Sequence, residues 1–231
     1  MSIESTSTKR LTEVRNQLSM AARACGRGPE SVHLLAVSKQ HPATVIRALA
    51  NVGQHDFGES YVQEALDKMG ALADLPLRWH FIGQLQSNKT RPVAEHFQWV
   101  HTLDRDKIAT RLNQQRPHYA SPLQVCIQVK LAEEAGKGGV WPEQVAALAA
   151  HVRQLPRLKL RGLMCIPPPA ANYDDQLGQF RQLAMLQRDL NAGGFDLDTL
   201  SMGMSGDYAA AIAAGSTLIR IGTAIFGERT A

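Results

Sequence analysis

Three features far apart in the chain could act on one small molecule: a lysine, two loops of glycine and hydroxyl residues, and an arginine set in apolar sequence. Lys39 follows the apolar run Leu34-Leu35-Ala36-Val37 after a single serine, Ser38. An amine partly withdrawn from water holds its proton less tightly and becomes a nucleophile toward carbonyls. Position alone fits a solvated strand-end lysine better, so other features must decide. Ser201-Met202-Gly203-Met204-Ser205-Gly206-Asp207 places two glycines and two serines ahead of a helical pattern, and Gly222-Thr223-Ala224-Ile225-Phe226-Gly227 again sets glycine beside a hydroxyl. Glycine lets an anion approach the backbone, a hydroxyl adds a donor, and a helix start offers free amides. The plainer account makes Ser205 or Asp207 an N-cap and the glycines turn residues. Arg220 stands between Ile219 and Ile221. A buried charge must be paired, either by a structural acceptor or by one on a ligand.

These residues act together only if the fold gathers them. Hydrophobic periodicity predicts a helix from about Glu4 to Ala24, with Leu11, Val14, Leu18, Ala21 and Ala22 on one face and Gly26, Gly28 and Pro29 as the stop. Eight apolar runs follow, near residues 33–37, 54–57, 79–82, 98–102, 123–129, 158–166, 199–202 and 217–221, with helical patterns between them. Continuous apolar runs mark strands covered on both faces. No linker or composition shift divides residues 1–231, so the expectation is one α/β domain, a (β/α)8 TIM barrel with an extra N-terminal helix. An open doubly wound sheet is the competing arrangement, but no G-x-G-x-x-G turn follows the first strand. Barrel sites lie beyond the C-terminal strand ends, and the loops after strands seven and eight commonly hold phosphate. Lys39, both loops and Arg220 then share one mouth. A ligand carrying an aldehyde and a phosphate would use all of them, and pyridoxal 5′-phosphate carries both.

Composition narrows the partners. The 25 Lys and Arg against 21 Asp and Glu leave +4, with no run of five like charges. That suits a small anion, whereas nucleic acid would need a basic stripe. Cys25, Cys126 and Cys165 form no C-x-x-C pair, which argues against a disulfide scaffold or zinc knuckle. The N-terminus is polar, and the apolar stretch from Ala209 to Phe226 is broken by Gly215 and Arg220. Neither a secretory leader nor a membrane span is expected, and the address is cytoplasmic. Eight scattered histidines without H-x-x-x-H give no metal site. His80 reads as a satisfied core histidine or as one that faces the mouth and orients another group. Cys165 is placed to line the site, and Tyr61 either packs or transfers a proton.

Six ordered blocks carry a family resemblance. They are Ala36-Val37-Ser38-Lys39, Phe57-Gly58-Glu59-Ser60-Tyr61-Val62-Gln63-Glu64 and Trp79 through Lys89 (WHFIGQLQSNK), followed by Leu160-Arg161-Gly162-Leu163-Met164, Leu200 through Ser205 and Arg220 through Gly227. The chain resembles the pyridoxal phosphate homeostasis proteins (the YggS/PROSC family), single-domain relatives of the N-terminal barrel of alanine racemase. The resemblance implies an internal aldimine on Lys39, Ser205, Gly222 and Thr223 around the phosphate, Arg220 opposite the pyridine nitrogen and Met202 near the ring. It also puts Ser60 at the cofactor, where an asparagine is common. His41 replaces a frequent second lysine, and Gly136-Lys137-Gly138-Gly139 replaces a serine-containing turn.

The expected function is therefore to hold pyridoxal 5′-phosphate as a lysine aldimine and take part in its intracellular homeostasis, as a carrier rather than an enzyme. The expected assembly is a monomer that transfers the cofactor to pyridoxal-phosphate-dependent enzymes, without nucleic acid or membrane. Two alternatives stay open: an amino-acid racemase using one lysine base with Tyr61 or water, and a lysine aldolase acting on a sugar phosphate. Racemisation needs an acid/base on each side of the substrate carbon. Alanine racemase draws a tyrosine from a second, β-rich domain of its partner, for which a chain ending at Ala231 has no residues.

Overall fold

The structure is a computed structural model describing residues 3–133 and 138–228. It opens with helix α1 (Ile3–Ala24), whose buried Leu11, Val14, Leu18 and Ala22 recur at helical spacing. The helix stops at Gly26, where φ is +70°. There the amides of Gly26 and Arg27 turn back onto the carbonyls of Arg23 and Ala22, a turn glycine enters without a Cβ penalty.

Eight parallel strands then alternate with helices: β1 (His33–Val37), α2 (Ala43–Ala50), β2 (Asp56–Glu59), α3 (Val62–Ala71), β3 (Arg78–Phe81), α4 (Thr90–His96), β4 (Trp99–Leu103) and α5 (Asp106–Gln115). The second half runs β5 (Leu123–Gln128), α6 (Pro142–Arg153), β6 (Leu158–Met164), α7 (Tyr173–Ala192), β7 (Thr199–Ser201), α8 (Tyr208–Ala213), β8 (Leu218–Ile221) and α9 (Thr223–Phe226). The strands close in sequence order, and β8 returns to β1 with Leu35 opposite Arg220. This is the (β/α)8 barrel the alternation predicts. Helix α1 packs on α2, α8 and α9, across the seam where the last unit meets the first.

Two elements differ from expectation. β2 continues past Phe57 through Gly58 to Glu59, because the Glu59 carboxylate is buried with partners rather than exposed at a strand end. The segment after β8 is not all loop: Thr223–Phe226 forms one helical turn, with the Ile225 and Phe226 amides on the Gly222 carbonyl. Four residues are too few for a period to show.

The main core lies between strands and helices. Phe57, Phe81, Phe97 and Phe180 are fully buried there, with Phe81 and Phe97 edge to face at 5.5 Å; truncating such a ring costs about 3–5 kcal/mol. The barrel interior is different. It holds a small apolar cluster of Trp99, Cys126 and Met164, and beside it His80, His101, Ser201 and Arg220, all buried and hydrogen-bonded to one another across the sheet. Branched aliphatic layers, usual inside such barrels, give way here to a polar column.

Candidate functional site

At the C-terminal mouth of the barrel lies a cavity of about 330 Å³, at the lower end of the range for small-molecule sites. Lys39 enters it two residues after β1, half-buried, and Ser60 follows β2. Ile82 and Ile166 form apolar walls beyond β3 and β6, and the loop after β7 contributes Met204, Ser205 and Gly206. Arg220 rises from β8, and Gly222 and Thr223 lie just beyond it. Residues 181 positions apart thus share one space, as closure of the barrel requires.

The phosphate-binding expectation can be tested on local geometry. A Cβ built on Gly206 would meet nothing within 4 Å, so the loop leaves room for an anion against its backbone. The amides of Ser205, Gly206 and Thr223 find no acceptor among the described residues. Asp207 instead ties the loop by accepting from the Met204 amide. Free amides, two exposed hydroxyls and a cation nearby make a donor set suited to a phosphate.

Arg220 is only 5% exposed. Nη1 donates to the Ser201 carbonyl at 2.5 Å and to Ser201 Oγ at 2.9 Å, and Nη2 donates to the Cys165 carbonyl at 2.9 Å. Its hydrogen-bond partners are therefore neutral acceptors, and burial lowers its proton affinity, offset only in part by the Asp207 carboxylate and the cysteines nearby. A guanidinium has five N–H donors, so capacity remains for a ligand in the cavity.

Beneath Lys39 sits a network that sequence reading did not assign. Glu59 is fully buried, and its Oε1 accepts from Ser38 Oγ at 2.6 Å and from Lys68 Nζ at 2.7 Å. Lys68 also donates to the Ser38 carbonyl and to Glu64, at 2.8 and 2.6 Å. Glu59 Oε2 has no partner, and burial pushes this carboxyl above its ordinary range despite Lys68. Glu64 in turn accepts from the amide of Gln40, whose φ is +63°. The two residues flanking Lys39 are thus fixed from below, which holds the Lys39 backbone at the mouth. The charges at 59 and 68 appear in sequence, but nothing local says that they meet.

Met202 and Cys165 do not line the cavity. Side chains alternate across a strand, so with Ser201 facing inward, Met202 points into the helix layer, fully buried in the main core. By the same parity Met164 and Ile166 face the cavity while Cys165 turns away, its thiol pushed up to about 12 by burial. His41 lines the mouth and stacks on Phe226 at 4.8 Å. Tyr61 is 55% exposed and outside the cavity. His80 is buried, between Asp56 and His101. Gly136 and Lys137 lie outside the described residues. Among the described residues no three metal-ligating side chains converge.

Comparison with known proteins agrees in extent with this geometry. The family model for the alanine racemase N-terminal domain matches residues 10–230. A pyridoxal phosphate homeostasis protein from Pseudomonas aeruginosa is 56% identical over 225 residues, covering 97% of this chain and 96% of that one. The structure of PipY from Synechococcus elongatus without PLP is 40% identical, with a TM-score of 0.86 over 95% of this chain and 99% of that one. Its form with PLP bound is 38% identical, with a TM-score of 0.84 over 96% and 100%. A closed eight-stranded barrel, a lysine at its first strand end and matches running nearly end to end lead to one assignment: this chain belongs to the alanine racemase N-terminal domain family, among its pyridoxal phosphate homeostasis proteins.

Proposed function

We propose that this chain binds pyridoxal 5′-phosphate at Lys39 and serves its homeostasis by taking up, holding and releasing the cofactor. The observation that carries the reading is the single cavity shared by Lys39, Ser205, Thr223 and Arg220. PipY, a relative of the same fold, has been solved with PLP bound. When bound, the cofactor supplies an aldehyde that condenses reversibly with a primary amine. Lys39 would be that amine. Ser205, Gly222 and Thr223 would hold the phosphate, with Ser60 at the rim and Ile82 and Ile166 excluding water. Arg220 would donate to the ring nitrogen. Because a guanidinium can only donate, it keeps a proton off that nitrogen and weakens the electron withdrawal that transamination needs.

Racemisation is poorly served. Tyr61, the candidate second acid/base, is exposed outside the cavity, and two-sided proton transfer needs groups within reach on both faces. The whole chain would act as one unit, as a monomer in a reducing cytoplasm, handing the cofactor to pyridoxal-phosphate-dependent enzymes. Three free cysteines suit that compartment, and no helix among the described residues is long and apolar enough to cross a membrane.

The test is the absorption spectrum of the purified protein with added pyridoxal phosphate, beside Lys39→Ala. A visible band in the parent, lost in the variant, and a borohydride-trapped pyridoxyl group on the Lys39 peptide are expected. A parent without a band at saturating cofactor refutes the reading and favours a lysine aldolase.

A further inference from the structure

Behind Arg220 a file of hydrogen bonds crosses the barrel interior to its opposite mouth. Ser201 Oγ, which accepts from Arg220, lies 2.8 Å from His101 Nδ1. His101 Nε2 lies 2.9 Å from His80 Nδ1, and His80 Nε2 lies 3.1 Å from Asp56 Oδ1. Asp56 starts β2 and is held by Arg78 through two bonds of 2.6 Å. It opens into a second cavity, of about 580 Å³, at the N-terminal ends of the strands.

The direction of every proton in this file follows from its two ends. Burial alone would raise Asp56, but hydrogen bonds from Arg78 and His80 hold it well below the usual carboxylate range, so it is an acceptor. His80 must then carry its proton on Nε2. Burial lowers the proton affinity of both rings, most strongly at His101, where His80 and Arg220 add repulsion. With neutral rings, His80 Nδ1 is an acceptor and takes the proton on His101 Nε2. His101 Nδ1 then accepts from the Ser201 hydroxyl, whose oxygen accepts from Arg220. No donor meets a donor anywhere along the file. A cationic His80 would break it: His101 would donate to Ser201 as Arg220 does, and the serine proton would have no acceptor. Trp99 stacks on His80 at 5.4 Å and contacts His101. Arg161 lies 5.1 Å over that indole and is paired with Asp198, and Asp207 is the charged neighbour of Arg220 on the mouth side.

We propose that Ser201, His101, His80 and Asp56 are positioning residues that fix the guanidinium of Arg220 through a one-way chain of donors, and that through it the Asp56 carboxylate at the far mouth tunes the ligand in the cofactor cavity. The tuning rests on the cofactor reading above; the chain itself does not. Polarisation along consecutive hydrogen bonds is cooperative, so negative charge at Asp56 makes each successive acceptor stronger and ends by drawing on the Arg220 N–H groups. Of this file of residues, only Arg220 lines the cofactor cavity.

Two measurements test this. Nitrogen-15 NMR of the ring nitrogens, in the protein without cofactor, should find both histidines neutral at neutral pH, protonated on Nε2 and bare on Nδ1. The opposite tautomer at His101, or a charged ring, overturns the chain. The second measurement is cofactor affinity and the visible band in three variants. His101→Leu should weaken binding about tenfold, the equivalent of about 1.4 kcal/mol, and move the band. His101→Gln can accept from Ser201 and donate to His80, so it should restore most of the affinity. Asp56→Asn, remote from the cavity, should shift the band while borohydride still traps the cofactor on Lys39. Parent-like behaviour of His101→Leu, failure of His101→Gln to exceed it, or an unmoved band in Asp56→Asn overturns the tuning. A parent with no band defeats the cofactor reading and the tuning with it, while the ring-nitrogen measurement still decides the chain.

Discussion

Replacing Lys68 with methionine tests whether Glu59 is held as a buried anion beneath Lys39. The substitution removes the ammonium that touches Glu59, Glu64 and the Ser38 carbonyl. It leaves Glu59 with Ser38 Oγ as donor in a site closed to water. An unpaired buried carboxylate costs about 3–5 kcal/mol, but protonation offers an escape. Holding a glutamic acid neutral in the fold, against an unfolded value near 4.3, costs about 3.7 kcal/mol at neutral pH and about 1 kcal/mol at about pH 5. The smaller of the two penalties governs, so Lys68→Met should lose about 3–4 kcal/mol at neutral pH. A carboxyl raised in the fold binds its proton more readily than in the unfolded chain. Its stability contribution is therefore fullest below the unfolded value and is lost as pH rises through the folded one. The deficit should then shrink toward about 1 kcal/mol at about pH 5. Urea unfolding followed by tryptophan fluorescence, with an unchanged slope against denaturant, measures it. Glu59→Gln combined with Lys68→Met should recover more than half the loss. A single variant that loses under about 1 kcal/mol, or a deficit that ignores pH, would refute the argument that burial of this carboxylate sets the cost.

Other outcomes follow from the same coordinates. His80 and His101 have lowered folded values, so below about pH 6.5 the unfolded chain binds protons the fold refuses. Stability should fall by up to about 1.4 kcal/mol per pH unit for each ring; a parent whose slope matches His80→Gln/His101→Gln between about pH 7 and 5 would contradict this. Ser205→Ala with Thr223→Val should weaken pyridoxal phosphate binding roughly a hundredfold, at about 1.4 kcal/mol for each charge-assisted bond lost, and undiminished affinity would move the phosphate elsewhere. A Cβ on Gly83 would lie 2.1 Å from the Ser60 carbonyl, so Gly83→Ala must shift the loop after β2. A loss of about 1–3 kcal/mol is expected in thermal unfolding, and an unaltered midpoint would show that the loop yields freely.

How far the chain could be read depends on where each signal resides. The alternation of apolar runs is local, so the barrel and its extra helix were legible from end to end. The mouth residues Lys39, Ser205, Arg220 and Thr223 were legible because a barrel converts position after a strand into place in space. Strand parity settles two more: with Ser201 inward, Met202 and Cys165 face the helices. Glu59 breaks the apolar pattern of β2 although the strand includes it, because its partner Lys68 lies nine residues on. His101 and Ser201 are 100 residues apart, and no periodicity links two polar residues on different strands. The interior column leaves no local signal for that reason. Hydrophobic pattern marks the outer faces of these strands and says little of what fills the barrel.

The position of α1 bears on how the molecule is made. Its partners α8 and α9 come from far along the chain, while α2 and the turn at Pro29–Ser31 lie near it in sequence. During synthesis, α1 emerges about 180 residues before α8 and α9, with α2 and the turn at Pro29–Ser31 as its early partners. Docking of α1 on α8 and α9 and pairing of β8 with β1 are both contacts of long sequence separation. Contacts of such sequence separation slow folding, and half-made barrels leave strand edges open. Helix α1 thus acts as a latch across the seam where β8 meets β1.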